Sequence, residues 1–169
     1  MGPGGREIWR EGRFGVRVHT LPVRGGVQAR AYVEHPGAVV VLAVTPDDEV
    51  VLIENRRWVV GRTLLELPAG GLAPGEDPAA CALRELEEET GYRAGRLVAW
   101  QSFFMLPAYS TEVMHAFLAF DLVPTAQRLE ADEQITVRRV PRAAVPALLG
   151  EIEDMKTLAV LARWISAAP

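Results

Sequence analysis

The chain has 169 residues, 49% of them hydrophobic, and a formal net charge of −4 at pH 7, which suits one domain with a substantial core and a small appendage. The negative charge argues against a protein that binds nucleic acid through its phosphates, and the single cysteine, Cys81, excludes an internal disulfide. No apolar signal segment follows Met1, and the longest apolar run, Ala38 to Val44, is too short to span a bilayer, so we expect a cytoplasmic protein without a membrane partner.

The N-terminal part of the chain alternates between apolar and other residues, which predicts short antiparallel strands. The alternation runs from Phe14 to Val33 and is interrupted at Gly25-Gly26, where we predict a hairpin turn. We expect residues 1–13, which are rich in glycine and charge, to be only loosely held. We therefore assign residues 1–36 to a small N-terminal β-subdomain and residues 37–169 to the main domain.

The main domain contains further segments whose composition predicts strands, separated by turn or helical residues. The first of them is a continuous apolar run, which is typical of a strand buried on both faces. The predicted strands are Ala38–Thr45, Val50–Glu54, Leu64–Leu67, Leu97–Phe104, Met114–Phe120 and Ile135–Val140.

A helix is predicted between Asp77 and Gly91. Asp77 suits the N-cap, Pro78 suits the first helical position, and Gly91 suits the left-handed residue that ends a helix. One face of this helix carries apolar or small residues at helical spacing and should face the core. The residues on that face are Ala79, Leu83, Leu86 and Thr90.

Two helices are predicted near the C-terminus. The segment Pro141–Leu149 should be helical, although Pro146 would cost a backbone hydrogen bond or kink the helix. The segment Met155–Ala167 should be capped by Asp154. Its core-facing positions are predicted to be Leu158, Leu161, Ala162 and Ile165. Together with the strands, these helices predict an α/β fold with helices on both faces of a sheet.

A continuous pattern of polar residues and glycines runs through the first predicted helix. Gly70 is followed after five residues by Glu76 and after a further seven by RELEEETGY, from Arg84 to Tyr92. Chance agreement at all these positions is on the order of one in a million. The pattern resembles the signature of the Nudix hydrolases, which implies an α/β/α sandwich with a mixed sheet and hydrolysis of a nucleoside diphosphate linked to another group.

Three carboxylates of this pattern lie on one side of the helix. Glu85 is separated from Glu88 by three positions and from Glu89 by four, so their side chains point in roughly one direction. Mg²⁺ prefers such hard oxygen ligands, and Mn²⁺ is a possible substitute. The resemblance implies that the carbonyl of Ala69 is a further ligand. We expect Arg84 to orient the glutamates and to hold Glu76 and its loop; the competing interpretation is an ordinary solvated helix face.

The flanking segments resemble the branch of the family that contains ADP-ribose and nucleotide-sugar pyrophosphatases, and this resemblance covers roughly residues 16–165. Arg57 matches a substrate-side arginine of that branch, with a surface ion pair as the alternative. Arg56, a further candidate for substrate contact, stands where the branch usually has an aromatic residue. Pro107 matches a marker proline and is also a candidate for substrate contact. Glu112 follows it in a loop that is predicted to contact substrate or to support the metal site.

The resemblance also implies a catalytic base in a loop before the last strand. That loop contains Glu133 as the first candidate, Glu130 as the second and Asp132 as the third. A base must reach the attacking water within hydrogen-bonding distance, which a mobile loop could achieve on closing. If no loop residue serves, Glu88 or Glu85 could be the base.

The predicted function is Mg²⁺-dependent hydrolysis of ADP-ribose to AMP and ribose 5-phosphate, or of a related nucleoside diphosphate sugar. The open alternatives are hydrolysis of UDP- or GDP-sugars, hydrolysis of RNA caps or polyphosphates, and a Nudix-fold module that binds nucleotides without cleaving them. The branch implies a homodimer, and no nucleic-acid partner is expected. The N-terminal hairpin supports a dimer only indirectly, because a two-stranded hairpin is too small to be stable alone.

Overall fold

The computed structural model describes residues 5–167, which form two β-sheets and three α-helices. The strands are β1 (Arg6–Glu11), β2 (Phe14–Val23), β3 (Gly26–Glu34), β4 (Ala38–Val44), β5 (Glu49–Arg57), β6 (Arg62–Glu66), β7 (Ala69–Gly71), β8 (Tyr92–Phe104), β9 (Val113–Pro124) and β10 (Ile135–Pro141). The helices are α1 (Pro78–Thr90), α2 (Val145–Leu148) and α3 (Met155–Ala167), and a 3₁₀ turn, Arg142–Ala144, precedes α2.

The smaller sheet contains β1, β2 and β3 in that order, all antiparallel. The predicted hairpin between β2 and β3 is confirmed, and Gly25 adopts a φ of 94° that favours glycine. Arg10 of β1 and Arg17 of β2 both form ion pairs with Glu34 of β3. The expectation of a loosely held N-terminal segment stays a prediction. Residues 1–4 lie outside the described part of the chain, and a domain boundary at residue 36 stays a prediction.

The larger sheet is mixed, as the sequence predicted. Its strand order is β10-β5-β4-β9-β8, with β6 paired to β5 and β7 paired to β4. The central pair β4–β9 is parallel and the other pairs are antiparallel. The short strand β7 was not predicted, because its sequence, Ala-Gly-Gly, has no strand propensity and its position depends on pairing with β4.

The sheet is covered on both faces, which confirms the predicted α/β/α arrangement. Every residue of β4 is buried, and its side chains alternate between two hydrophobic clusters. Val39 and Val41 pack with Leu86 of α1, whereas Val40 and Leu42 belong to the cluster that contains residues of α2 and α3.

Helix α1 begins and ends where the sequence predicted. The side chain of Asp77 accepts a hydrogen bond from the backbone N of Ala80 at 3.1 Å, and Gly91 ends the helix with a φ of 68°. The prediction that Leu83 faces the core was wrong, since Leu83 is 39% exposed. The buried arc of the helix is rotated away from it and consists of Cys81, Ala82, Glu85, Leu86, Glu89 and Thr90.

The C-terminal helices differ from the prediction in two respects. Pro141 ends β10 and Arg142–Ala144 forms a 3₁₀ turn, so α2 is shorter than the predicted segment. Pro146 lies in the first turn of α2, where its missing N–H has no helical partner to lose, so the expected loss of a helical hydrogen bond at Pro146 was wrong. Asp154 caps α3 as predicted and accepts a hydrogen bond from the backbone N of Thr157 at 3.0 Å. Leu161 is fully buried, and Leu158 and Ile165 pack at the edge of the core. Among residues 5–167, none of the helices is long and apolar enough to cross a membrane.

Candidate functional site

The carboxylates of α1 form a network with Arg84. The guanidinium of Arg84 donates to Glu85 at 2.8 Å, to Glu88 at 3.1 Å and to Glu76 at 3.1 Å. The carboxylate of Glu76 also accepts a hydrogen bond from the backbone N of Ala73 at 2.8 Å, which closes the loop before the helix. The predicted roles of Arg84 and Glu76 are therefore confirmed.

The same carboxylates lie against the backbone of β7. A Cβ atom added at Gly70 would lie 1.9 Å from the carboxyl carbon of Glu85, so any larger residue would displace the Glu85 carboxylate from this position. Next to it, the carboxylate of Glu89 accepts a hydrogen bond from the backbone N of Ala69 at 2.8 Å. The structure thus brings Ala69, Glu85 and Glu89 together, as the sequence predicted, although they are separated along the chain.

Burial makes the ionised state of these carboxylates unfavourable. The pKa of Glu89 is raised to about 8, mainly by burial. The hydrogen bond from the Ala69 N–H acts in the lowering direction, and the nearby charges of Glu85 and Glu133 contribute to the rise. Burial also raises the pKa of Glu85, against the lowering effect of Arg84. One arginine does not offset the charge of four glutamates, and a divalent cation would supply the missing positive charge.

The donor atoms fit such a cation. Within residues 5–167, hydrogen bonds engage one oxygen of each carboxylate: Oε1 of Glu85, Oε2 of Glu88 and Oε2 of Glu89. The second oxygen of each carboxylate is available, and carboxylate oxygens are the ligands that Mg²⁺ prefers. No three Asp, Glu, His or Cys side chains of the described chain are arranged as a preformed metal cage. Instead, the carboxylates of Glu85 and Glu88 are paired with the guanidinium of Arg84.

A cavity of about 490 Å³ opens beside β7, and we call it the central cavity. Both sheets and several loops contribute to its walls. Its lining residues are Arg13, Phe14, His35, Ala38, Arg57, Ala69, Gly70, Gly71, Met105, Glu112, Met114, Asp132, Asp154 and Lys156. The predicted residues Arg57, Glu112 and Ala69 therefore share one cavity.

Arg57 is held by a buried partner. Its guanidinium donates through Nε and Nη2 to the two carboxylate oxygens of Glu66 at 2.8 and 2.6 Å, and Glu66 is 1% exposed. This hydrogen bonding raises the pKa of Arg57. The ion pair considered for Arg57 is therefore present. Its carboxylate partner, Glu66, lies in the protein interior, and Arg57 itself lines the central cavity.

Two predicted substrate residues lie elsewhere. Pro107 lines a separate cavity of about 450 Å³ together with Tyr109 and residues of β2 and β3. Arg56 lines a shallow site beside Gln134, and its guanidinium donates to the backbone O of Gly61. A substrate contact by Pro107 or Arg56 stays a prediction.

The acidic loop before β10 approaches the site. Glu133 lies near enough to Glu85 and Glu89 to raise their pKa values, and its carboxylate accepts a hydrogen bond from the backbone N of Glu130 at 2.8 Å. Asp132, which the sequence ranked third, lines the central cavity. Glu130 itself is exposed and contributes its backbone to the turn.

The small sheet contributes residues that the sequence did not identify as site residues. Arg13 and Phe14 line the central cavity, and a Cβ added at Gly71 would lie 2.1 Å from the guanidinium of Arg13. Backbone hydrogen bonds fix this sheet to the main domain: Val33 N donates to Tyr109 O at 2.7 Å, and Thr111 N donates to Val33 O at 3.0 Å. Gly12 marks the turn that presents Arg13, and this turn was the available sequence signal.

Comparison with known proteins agrees with this site. Residues 34–161 match the family model described as the NUDIX domain. Over 109 residues the chain is 44% identical to the ADP-ribose pyrophosphatase of Bacillus subtilis (strain 168), a match that spans 64% of this chain and 59% of the length of that relative. It is 34% identical over 137 residues to the GDP-mannose pyrophosphatase of Citrobacter koseri, which covers 74% and 71% of the two chains. The crystal structure of an ADP compounds hydrolase superposes with a TM-score of 0.77 at 25% identity, over 95% of this chain and 91% of that chain.

The close approach at Gly70 gives a testable consequence. We expect Gly70→Ala to lower the free energy of unfolding by about 1–3 kcal/mol, because the added methyl overlaps the carboxylate of Glu85 and displaces this buried side chain from its contact with Arg84. Urea denaturation followed by circular dichroism measures the change. The control is Gly150→Ala, which meets nothing within 4 Å and should change the free energy by less than about 0.5 kcal/mol. Equal effects of the two substitutions would contradict the packing argument.

Proposed function

This chain belongs to the Nudix family, and on that premise we propose that it hydrolyses the diphosphate of ADP-ribose or of a related nucleoside diphosphate sugar. The observation that carries the proposal is the central cavity, which has carboxylates of α1 behind the backbone of β7 and the cationic side chains of Arg13, Arg57 and Lys156 in its walls. A substrate that carries a diphosphate needs both features, because the phosphates require positive charge and the attacking water requires activation.

We propose that Glu85, Glu88 and Glu89, together with the carbonyl of Ala69, hold the divalent metal that Nudix proteins generally use. Mg²⁺ is the proposed ion and Mn²⁺ a substitute. When bound, the metal offsets the charge of the diphosphate and acidifies water. The contribution of the chain is to hold the three carboxylates in one direction, with Arg84 on one side of them and the N–H of Ala69 behind Glu89.

The diphosphate is proposed to bind Arg57. One edge of the Arg57 guanidinium is occupied by Glu66, which leaves the N–H groups of its other edge for phosphate oxygens, a geometry that suits bidentate contacts. Arg13, beside Gly71, is close to the same backbone and adds a second positive charge. Glu112, which also lines the cavity, is proposed to accept hydrogen bonds from sugar hydroxyls of the substrate.

We propose that Glu133 accepts the proton of the attacking water. The water adds to one phosphorus, the bridging P–O bond breaks, and the products of ADP-ribose are AMP and ribose 5-phosphate. Glu133 is supported by its electrostatic proximity to Glu85 and Glu89 and by a loop that its own hydrogen bond to Glu130 closes. Asp132 in the cavity wall and Glu88 on α1 are the alternative bases.

The likeness to a GDP-mannose pyrophosphatase supports a second candidate substrate, a GDP-sugar. The proposed metal and phosphate contacts would serve either substrate, because they do not involve the base. ADP-ribose is preferred here because the relative at 44% identity is an ADP-ribose pyrophosphatase.

Incubation of the protein with Mg²⁺ and a panel of ADP-ribose, GDP-mannose, UDP-glucose, NADH and diadenosine polyphosphates tests this proposal. We expect ADP-ribose to show the highest kcat/KM and to give AMP and ribose 5-phosphate, as measured by chromatography of the products. A preference for GDP-mannose would select the second candidate. Nucleotide binding without any turnover would contradict the hydrolase and favour a sensor.

The proposed metal ligands have a matched pair of variants on one helix. We expect Glu89→Gln to lower kcat/KM by about 100-fold, the scale of removing one charge-stabilising group, while the fold is retained because the amide oxygen can still accept from Ala69. Glu87→Gln is the control, since Glu87 points toward Arg128 at 3.7 Å and not into the cluster. Steady-state rates and Mn²⁺ affinity measure the difference, and near-normal values for Glu89→Gln would refute the metal assignment.

We also propose that the protein is a homodimer formed through the small sheet. Residues opposite one another in an antiparallel sheet share a face, and one face of this sheet is uncharged apart from Arg6 and Glu11 at the two ends of β1. Trp9 on that face is 51% exposed and Val27 is 74% exposed. The apolar face consists of Trp9, Phe14, Val16, Val18, Thr20, Pro22, Val27, Ala29, Ala31 and Val33. A second copy is the proposed cover, because an exposed apolar face of this extent is typical of an interface.

Light scattering after size exclusion tests the dimer. We expect a mass of twice 18.5 kDa at micromolar concentration for the natural chain and the monomer mass for Val27→Glu, because a charge on the apolar face opposes its burial. Val123→Glu is the control, since Val123 is an equally accessible strand residue, 50% exposed, in the other sheet. A monomeric natural chain, or a monomeric Val123→Glu variant, would contradict this interface.

A further inference from the structure

Lys156 is the only lysine in a chain whose other 17 basic residues are all arginine. It lies at the start of α3, where its side chain is 9% exposed, and it lines the central cavity. Its ammonium donates to Oε2 of Glu66 at 2.6 Å and to Oδ1 of Asp154 at 2.9 Å. Lysine is usually exposed to solvent, so a buried lysine with two carboxylate partners in the wall of a proposed active site indicates a specific role.

Glu66 links this lysine to Arg57. The carboxylate of Glu66 receives Nε and Nη2 of Arg57 on its two oxygens and receives Lys156 on Oε2. Charges therefore alternate from Arg57 through Glu66 and Lys156 to Asp154, and each buried charge has an opposite neighbour. A buried carboxylate is stable only when it is paired in this way.

The lysine fixes the orientation of the shared carboxylate. With Arg57 alone, the Glu66 carboxylate could follow the movements of a guanidinium whose side chain is 41% exposed. Lys156 holds the same carboxylate from the interior, and it is itself held by Asp154. A compact ammonium can donate in three directions from one point, which a planar guanidinium cannot do. This geometry explains a lysine at this one position.

The anchor is part of a rigid connection between the sheet and α3. The second oxygen of Asp154 accepts the N–H of Thr157 at 3.0 Å, and the hydroxyl of Thr157 accepts the N–H of Leu67 at 2.8 Å. Leu67 directly follows Glu66, so both ends of the Glu66–Lys156 contact are tied to one another through the backbone. Movement of Lys156 relative to Glu66 is thereby restricted.

From these contacts we infer that Lys156 is a positioning residue for substrate recognition, which acts through Glu66 to present the free edge of Arg57 to the diphosphate. The inference rests on the proposed function, because it assigns Arg57 to the substrate. It does not require Lys156 to touch the substrate, and it predicts that the contribution of Lys156 disappears when Arg57 is absent.

A double-mutant cycle tests this dependence. The four proteins are the natural chain, Arg57→Ala, Lys156→Met and the double variant, each assayed for kcat and KM with ADP-ribose and for Kd of ADP-ribose by calorimetry without metal. We expect Lys156→Met to raise KM and Kd about tenfold with kcat changed less than about threefold, and the double variant to match Arg57→Ala alone. Glu66→Gln should repeat the effect of Lys156→Met, and it replaces Lys156→Met in the test if that variant does not fold.

Arg62→Met is the matched control. It also replaces a basic residue with methionine and breaks an ion pair, that of Arg62 with Glu153, but both partners are 58% exposed and lie outside the central cavity. Its KM should equal that of the natural chain.

The outcomes separate the two proposals. Two results would overturn the positioning role alone. One is that the effects of Lys156→Met and Arg57→Ala are additive. The other is that Lys156→Met and Glu66→Gln leave KM and Kd unchanged while Arg57→Ala is impaired. Unchanged KM and Kd in Arg57→Ala would overturn both the substrate contact and the positioning role. If the natural chain hydrolyses no substrate, the hydrolase proposal fails, and the cycle in Kd still decides whether Lys156 acts through Arg57.

Discussion

The close approach of β7 to α1 is the constraint on which the site depends. Glu85 and Glu89 are carried by a helix, and Ala69 and Gly70 belong to a three-residue strand, so the Glu85 carboxylate reaches its observed position against β7 only if nothing larger than hydrogen stands at Gly70. The N–H of Ala69 then donates a hydrogen bond to one carboxylate oxygen of Glu89, whose side chain is buried. The packing of α1 on the sheet through Leu86 sets the depth of this contact. The fold and the carboxylate cluster are therefore one arrangement.

In both charge networks of this protein, one charged side chain pairs with more than one opposite charge. Arg84 serves Glu76, Glu85 and Glu88, and Glu66 serves Arg57 and Lys156. A buried charged group with two partners is held in a defined direction, which a single flexible ion pair at a surface does not achieve. One network holds the proposed metal ligands against β7, and the other holds Arg57 and Lys156 in the wall of the central cavity.

The small sheet has a double role in the structure. Its attachment to the loop that contains Tyr109 holds Arg13 and Phe14 at the central cavity, while Trp9 and Val27 of its apolar face remain exposed. A three-stranded sheet buries little area by itself, and these exposed apolar side chains suit a further cover. The proposed dimer and the proposed site thus share one structural element, which would couple assembly to the shape of the cavity.

Local patterns determined much of this protein in advance. Asp77, Pro78 and Gly91 set the ends of α1 by hydrogen bonding and backbone conformation, and the spacing of Glu85, Glu88 and Glu89 placed their side chains on one side of the helix. These features depend on neighbours within one or two helical turns, so the sequence by itself contains them. The rotation of α1 was less well predicted, because Leu83 is apolar but the buried arc also accommodates two glutamates.

The partners of the buried charges were decided only by tertiary structure. Glu66 and Lys156 are 90 positions apart, and neither residue type nor spacing indicates that they meet. The same holds for Arg13 against Gly71 and for the position of Pro107 outside the central cavity. Such contacts arise where β6 meets α3 and where the turn between β1 and β2 meets β7, and packing over long sequence separations leaves no periodic trace in the chain. The sequence by itself therefore determined the chemistry that is available, and the tertiary structure decided which groups act on the same cavity.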